Sequence, residues 1–204
     1  WSSDVCSSDL LPKLKMQFSH KIKQRVGEVD TIINFKYNTS YILPASITDT
    51  FSFQKIKCYF SNFRLVNMDG EEVQVNDRLT IDLEGDDPDS ITIIDDVFLF
   101  DAGFTNYTLG EFDKPNTYEG LKFMIGLQSE LFTTNPEIAP IGSVLRPDSL
   151  NYEDDLGYIP QKYVFFPALE PSDMGDTTVF RVFEPIEITL SSDPFALVTG
   201  FDAT

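Results

Sequence analysis

The sequence predicts an all-β protein: an antiparallel β-sandwich of the immunoglobulin or jelly-roll kind, with long loops and at most short helical turns. Three observations predict it. Apolar and polar residues alternate at period two in several short segments. Gly, Pro, Asn and Asp separate those segments at short intervals. No long window carries an apolar stripe at the helical period.

Met16, Phe18, His20 and Ile22 alternate with Gln17, Ser19, Lys21 and Lys23, which predicts a first half-buried strand. A second runs from Thr31 to Tyr37, with Ile33, Phe35 and Tyr37 on one face. The third, Phe51 to Leu65, is long and aromatic. Its apolar phase runs Ile56, Cys58, Phe60 and then moves to Phe63, Leu65. A one-residue change of phase predicts a β-bulge or a strand covered on both faces. Met68-Asp69-Gly70-Glu71 is a turn leading into Val73–Val75. Leu79, Ile81 and Leu83 alternate with Thr80 and Asp82, and Ile91 to Phe100 is a further apolar run. Leu121, Phe123 and Ile125 define another strand, Tyr163 to Phe166 a short bulky one. Ile186, Ile188 and Leu190 form the last, opened by Pro185 where a missing N–H is tolerated. Gln128 to Thr133 reads as a short helical turn, ended by Asn135-Pro136. About eight or nine strands with turns between them read as a sandwich. Long loops are expected near residues 84–90, 101–117 and 133–160.

The chain has 204 residues and is 42% hydrophobic, enough for a real core. It carries 33 acidic against 15 basic residues, a formal −18. That balance argues against nucleic acid or anionic lipid as the main partner, since both need clustered Lys and Arg. One His and two Cys exclude a four-ligand Cys/His zinc site and a disulfide scaffold. No run is long and apolar enough for a transmembrane segment.

Residues 1–10, Trp-Ser-Ser-Asp-Val-Cys-Ser-Ser-Asp-Leu, do not share the alternating pattern of the rest of the chain and lack the layout of a signal peptide. They read as the in-frame translation of a sequencing adapter, leaving residues 11–204 as one sandwich domain. Setting Asp4 and Asp9 aside takes two carboxylates from the 33, leaving 31 against 15 basic residues, a formal −16. Trp1 and Cys6 leave the inventory with them. The true N-terminus would then be missing, with room for a lost signal peptide or lipidation Cys, and the ending at Phe201-Asp-Ala-Thr204 is expected to be a truncation that leaves a sheet edge unpaired.

Candidate chemistry is sparse. His20 lies on the apolar face of the first strand, so it is either a structural ring with one hydrogen bond or a metal ligand. Cys58, in an aromatic strand, reads as a buried free thiol. Asp82, Glu84, Asp86 and Asp87 form the densest acidic run and supply oxygen ligands of the kind calcium takes, without EF-hand spacing. A solvated turn explains the same run. Glu153-Asp154-Asp155 and Asp173 with Asp176 carry the same signal more weakly. No phosphate-binding loop, nucleophile elbow or His-Glu-x-x-His is present.

The run Phe51-Ser-Phe-Gln-Lys-Ile-Lys-Cys-Tyr-Phe-Ser-Asn-Phe-Arg-Leu65, followed by Asp69-Gly70, resembles the MbnP-like family, which carries F-S-V-x-x-L-K-Y-Y-x-S-N-I-R-L and a D-G turn. Met16–His20 is similar to the family's opening F-x-H strand, and Tyr118–Gly126 to its Y-x-x-L-x-F-x-I-G strand. Tyr163–Phe166 with Leu169-Glu170 resembles its G-Y-I-F-F-K-L-E-G segment. The resemblance spans residues 16 to about 170 in family order. It implies a periplasmic or surface-exposed β-sandwich, often a lipoprotein. Members associated with methanobactin operons bind copper through His and a Trp oxidised to kynurenine. Here the segment that usually reads M-x-W-x-W stands as Asn151–Tyr158, no Trp remains beyond Trp1, and only His20 carries over as a ligand.

The expected function is therefore a non-enzymatic periplasmic or surface-exposed binding module, whose partner is a protein, a glycan or a cation. The alternative is a metal-handling protein, taking copper through His20 and carboxylates or calcium through the acidic loops. A carboxylate hydrolase is a third reading.

Overall fold

The computed structural model describes residues 12–26, 29–42, 50–82, 90–95, 97–112, 117–133, 136, 137, 139, 143–146, 151–168 and 178–191. Residues 1–10, Glu84, Asp86, Asp87, Asp173, Asp176 and the C-terminal end lie outside them. Asp82 is described as a strand position only.

In chain order the strands are β1 (Lys13–Gln17), β2 (Lys21–Val26), β3 (Val29–Asn34), β4 (Tyr41–Ile42), β5 (Thr50–Asn67), β6 (Glu72–Gln74), β7 (Asn76–Asp82) and β8 (Ser90–Asp95). They continue with β9 (Phe98–Asp101), β10 (Asn106–Glu111), β11 (Tyr118–Ile125), β12 (Tyr152–Glu153), β13 (Gly157–Tyr158), β14 (Gln161–Ala168), β15 (Thr178–Val182) and β16 (Ile186–Ser191). A 3₁₀ turn at Ser129–Thr133 falls where the sequence predicts a helical turn. The architecture is the antiparallel β-sandwich the sequence predicts.

β5 organises the larger sheet. Its first half pairs with β14 and its second half with β11. β9 lies across from both, because it pairs with Lys57–Phe60 while β14 meets Cys58 and β11 meets Phe60. β11 and β14 therefore share one edge of β5 end to end, and the chain between them leaves the sheet and returns. The smaller sheet has the order β1-β10-β7-β8. β2 and β3 form a separate antiparallel ribbon.

The sheets bury their facing apolar rows against each other. Phe60, Phe63, Phe98, Phe100, Phe123 and Ile125 come from the larger sheet; Leu109 comes from the smaller one, with Leu14, Met16 and Tyr107 packed against them. The rings of Phe60 and Phe123 stack at 5.5 Å, as do Phe63 and Phe123. Tyr107 crosses between the layers, with its ring 5.2 Å from Phe98. Burial of such rings, about 25 cal/mol per Å² of apolar surface, supplies the main driving force.

The change of phase predicted in β5 is a bulge. Lys122 and Met124 of β11 face Arg64 and Ser61, so Phe123 stands against two residues of β5, Asn62 and Phe63. Asn62 takes a left-handed conformation, φ 59°, which turns Phe63 back toward the core. Asn is one of the few side chains that visits this region readily.

Five expectations need correction. The first predicted strand is two: β1 pairs with β10 and β2 with β3, and the chain changes partner at 18–20. The run 91–100 is also two strands, with β8 in the smaller sheet and β9 in the larger, because Asp95 and Asp96 interrupt its apolar character. The predicted loop 101–117 contains β10, whose Asn and Gly mimic a turn. The region 133–160 holds the β12–β13 hairpin, and the described strands number sixteen.

Candidate functional site

The excursion between β11 and β14 has its own core on the outer face of β5. Alternation along β5 sends Tyr59 away from the sandwich interior. Its ring is buried with Val97, Leu127, Leu131, Ala139, Leu145 and Tyr158. Its backbone marks the seam: the Tyr59 N–H donates to the Pro160 carbonyl at 2.8 Å, and the Gly126 N–H donates to the Tyr59 carbonyl at 2.7 Å. The Tyr59 hydroxyl donates to the Val144 carbonyl (3.1 Å) and that of Tyr158 to Leu145 (2.5 Å). An expected open loop is thus partly a packed cap.

His20 sits at the rim of the main core. Its ring stacks on Phe18 and meets Phe100 and Phe35 edge-on, with the Phe100 centroid at 5.2 Å. Nε2 lies 3.0 Å from the Phe104 carbonyl. A carbonyl only accepts, so Nε2 is the protonated nitrogen and donates, leaving Nδ1 as the one ring position able to offer a lone pair. The His20 carbonyl in turn accepts from the Phe35 N–H at 2.9 Å. Alternation placed this ring correctly on the apolar side; its partner lies 84 residues away and left no trace in the sequence.

Cys58 is buried inside the sandwich. Burial pushes its thiol up to about 12, the nearby Tyr163 hydroxyl opposing that shift. The Tyr163 hydroxyl donates to Gln161 Oε1 at 3.0 Å and lies 3.8 Å from Cys58 Sγ. A thiol held protonated at neutral pH is a poor nucleophile and a poor metal ligand.

Outside the interior, Glu153 takes two cations on one oxygen: Lys162 Nζ at 2.7 Å and Arg181 Nη2 at 2.9 Å. The hydrogen bond from Lys162, then that from Arg181, holds the Glu153 carboxyl below its ordinary value near 4.5. Glu72 similarly accepts from Lys122 and Arg64. Three tyrosines brace backbone segments. The Tyr107 hydroxyl accepts from the Asp101 N–H and donates to its carbonyl, and Tyr41 does the same at Lys36. Tyr37 accepts from the Ile56 N–H and reaches Asp101 Oδ1 at 2.9 Å.

The described donor set is small. His20 offers one lone pair, and among the described residues no three His, Cys, Asp or Glu side chains converge on a point. Copper selectivity rests on several N or S ligands in a set geometry. Among the described residues no helix is long and apolar enough to cross a membrane.

Sequence reasoning missed a surface cleft of about 270 Å³ on the outer face of β1 and β10, lined by Lys15, Met16, Gln17, Asn106, Tyr107 and Thr108. The signal available for it was the row of exposed odd-numbered residues from Lys13 to Arg25.

A two-sheet antiparallel sandwich, with a long bulged central strand and a cap folded over its outer face, defines the class: a β-sandwich whose described polar groups mainly brace its own backbone. The chain belongs to the MbnP family, whose pattern matches residues 12–170. Among solved structures it is similar to MbnP from Methylosinus trichosporium, at 15% identity and a TM-score of 0.48, over 84% of this chain and 63% of that one. The chain thus spans under two thirds of that protein's length. No curated protein matches it.

Proposed function

We propose that this chain is a non-enzymatic binding module that works in the periplasm or at the outer cell surface. Membership of the MbnP family supports the general assignment. The observation that carries the non-enzymatic part is the employment of the described reactive groups. The His20 ring is fixed by a carbonyl and by aromatic neighbours. The Cys58 thiol is held protonated. The hydroxyls of Tyr37, Tyr41, Tyr59 and Tyr107 brace main-chain atoms. A general base or nucleophile needs a partner within hydrogen-bond reach and an open place for substrate beside it. These groups instead spend their hydrogen bonds on the fold.

The test is cell fractionation of the full-length native protein together with a turnover screen of the purified chain. The proposal expects recovery by osmotic shock or surface proteolysis, and no turnover of ester, peptide or glycoside substrates. Recovery in the cytoplasm would overturn the location, and turnover abolished by a single substitution would overturn the non-enzymatic reading.

A further inference from the structure

We infer that the β1–β10 cleft binds a carboxylate-bearing oligosaccharide, which names a partner for the binding module proposed above and rests on that reading. Residues 11–27 contain five of the chain's 15 basic residues and no Asp or Glu, in a chain of formal charge −18. Every odd position from Lys13 to Arg25 is exposed, and every even position from Leu14 to Gln24 is half-buried. Lys13 and Lys15 therefore line the exposed side of β1, and Lys21, Lys23 and Arg25 the exposed side of β2. Alternate residues of a strand are about 6.6 Å apart, a spacing that suits repeated contacts along an extended polymer.

The cleft lies on the β1 row. Pairing sets Lys15 beside Thr108 and Gln17 beside Asn106. One cation, two carboxamides and a hydroxyl thus share a hollow of about 270 Å³, just under the roughly 300 Å³ at which ligand pockets begin and suited to about one sugar ring. Among the described residues the side chains of Lys15, Gln17 and Thr108 have no partner, while Asn106 Nδ2 donates to Thr105 Oγ1 at 3.1 Å. Lys13 and Lys23, by contrast, are paired with Glu111 and Asp30. An ammonium suits a carboxylate, and amides and a hydroxyl suit ring hydroxyls.

A peptide strand fits less well. Strand addition would draw on the free main-chain edge of β1, the outer strand of its sheet, whereas this hollow lies on the face of the β1–β10 ladder, where side chains and not main-chain groups are offered. The acidic remainder of the chain does not forbid an anionic ligand, because charges beyond about 8 Å are largely screened at physiological salt.

The experiment is calorimetric titration of the intact chain with a short oligogalacturonate, a neutral maltooligosaccharide and polyglutamate. The variants are Lys15→Met, Asn106→Ala and, as a distant cation, Lys55→Met, each checked for folding by circular dichroism. The expected result is binding of oligogalacturonate, weakened about tenfold or more by Lys15→Met and about fivefold by Asn106→Ala, weakened by added salt, and unchanged by Lys55→Met. Equal binding of polyglutamate would reduce the site to general charge attraction and overturn the inference. Equal binding of the neutral sugar would overturn the carboxylate assignment, and so would millimolar oligogalacturonate that does not bind. Those failures leave location and lack of turnover untouched, so they are distinguishable from failure of the binding-module reading.

Discussion

Substitution of Asn62 tests the bulge that shapes the central strand. Asn62 holds φ 59° in the middle of β5, and its Oδ1 is buried without a hydrogen-bond partner. The left-handed conformation costs an ordinary L-residue roughly 1–2 kcal/mol, and a buried unsatisfied carbonyl costs about 1–3 kcal/mol. Asn pays only part of the first cost; glycine removes both but gives up the side chain's packing and adds about 0.5–1 kcal/mol of backbone entropy cost. Asn62→Gly should therefore be neutral or stabilising by up to about 2 kcal/mol. Asn62→Ala removes the carbonyl but keeps a Cβ at positive φ, so the two terms partly cancel and it should fall below the glycine variant. Asn62→Val adds β-branching where it fits worst and should cost about 2 kcal/mol or more. Urea unfolding at constant m-value ranks the three. The order glycine, alanine, valine is expected. An alanine variant more stable than glycine, or a valine variant within about 0.5 kcal/mol of the parent, would refute a bulge held by left-handed geometry.

The cap, the Glu153 ion pairs and the buried thiol each give a further test. Tyr59→Phe leaves the Val144 carbonyl without its 3.1 Å donor and should cost about 1–2 kcal/mol, with faster hydrogen exchange at the described cap residues Leu127, Leu131, Leu145 and Tyr158 and unchanged protection in β11; uniform loss of protection would contradict a separate cap. Glu153→Gln should destabilise by roughly 1–3 kcal/mol at neutral pH, because Lys162, whose side chain is only 7% exposed, loses its counter-charge. Since the folded-state pKa of Glu153 is depressed, the ion pairs stabilise fully above its ordinary value near 4.5 and are lost as pH falls through the lower folded value. Parent and variant should converge in stability in acid, and a gap that widens as pH falls would contradict the sign. Cys58, pushed up to about 12 by burial, should react with a thiol reagent at pH 8 only as fast as the chain opens; rapid stoichiometric labelling of the folded chain would place the thiol at the surface.

How far the fold was legible depends on whether each feature is local. The bulge was legible because a change of phase within one strand is visible as Phe60 followed by Phe63. The Asp69-Gly70 turn was legible because Gly70 carries φ 79°. The division of 91–100 between two sheets was not, since an apolar run does not say where its partners lie. The cap over Tyr59 was hidden for a related reason. Leu127, Leu131, Leu145 and Tyr158 converge from irregular chain with no period to reveal them. At the site level, alternation showed which way His20 faces but not the Phe104 carbonyl that fixes its tautomer. The basic row at Lys13 to Arg25 was visible in the sequence, yet the cleft beside it required β10, whose Asn106 and Gly110 disguised it as a turn.

We propose that His20 serves the fold and that the protein acts by binding, not by holding copper. Calorimetric titration of the intact chain with Cu²⁺, repeated on His20→Ala and paired with thermal unfolding of both, tests it most directly. Neither protein is expected to show a sub-micromolar copper site, and the variant is expected to lose a modest part of its stability as the ring contacts with Phe18 and Phe100 and the bond to Phe104 disappear. Sub-micromolar Cu²⁺ binding by the parent that vanishes in His20→Ala would contradict it.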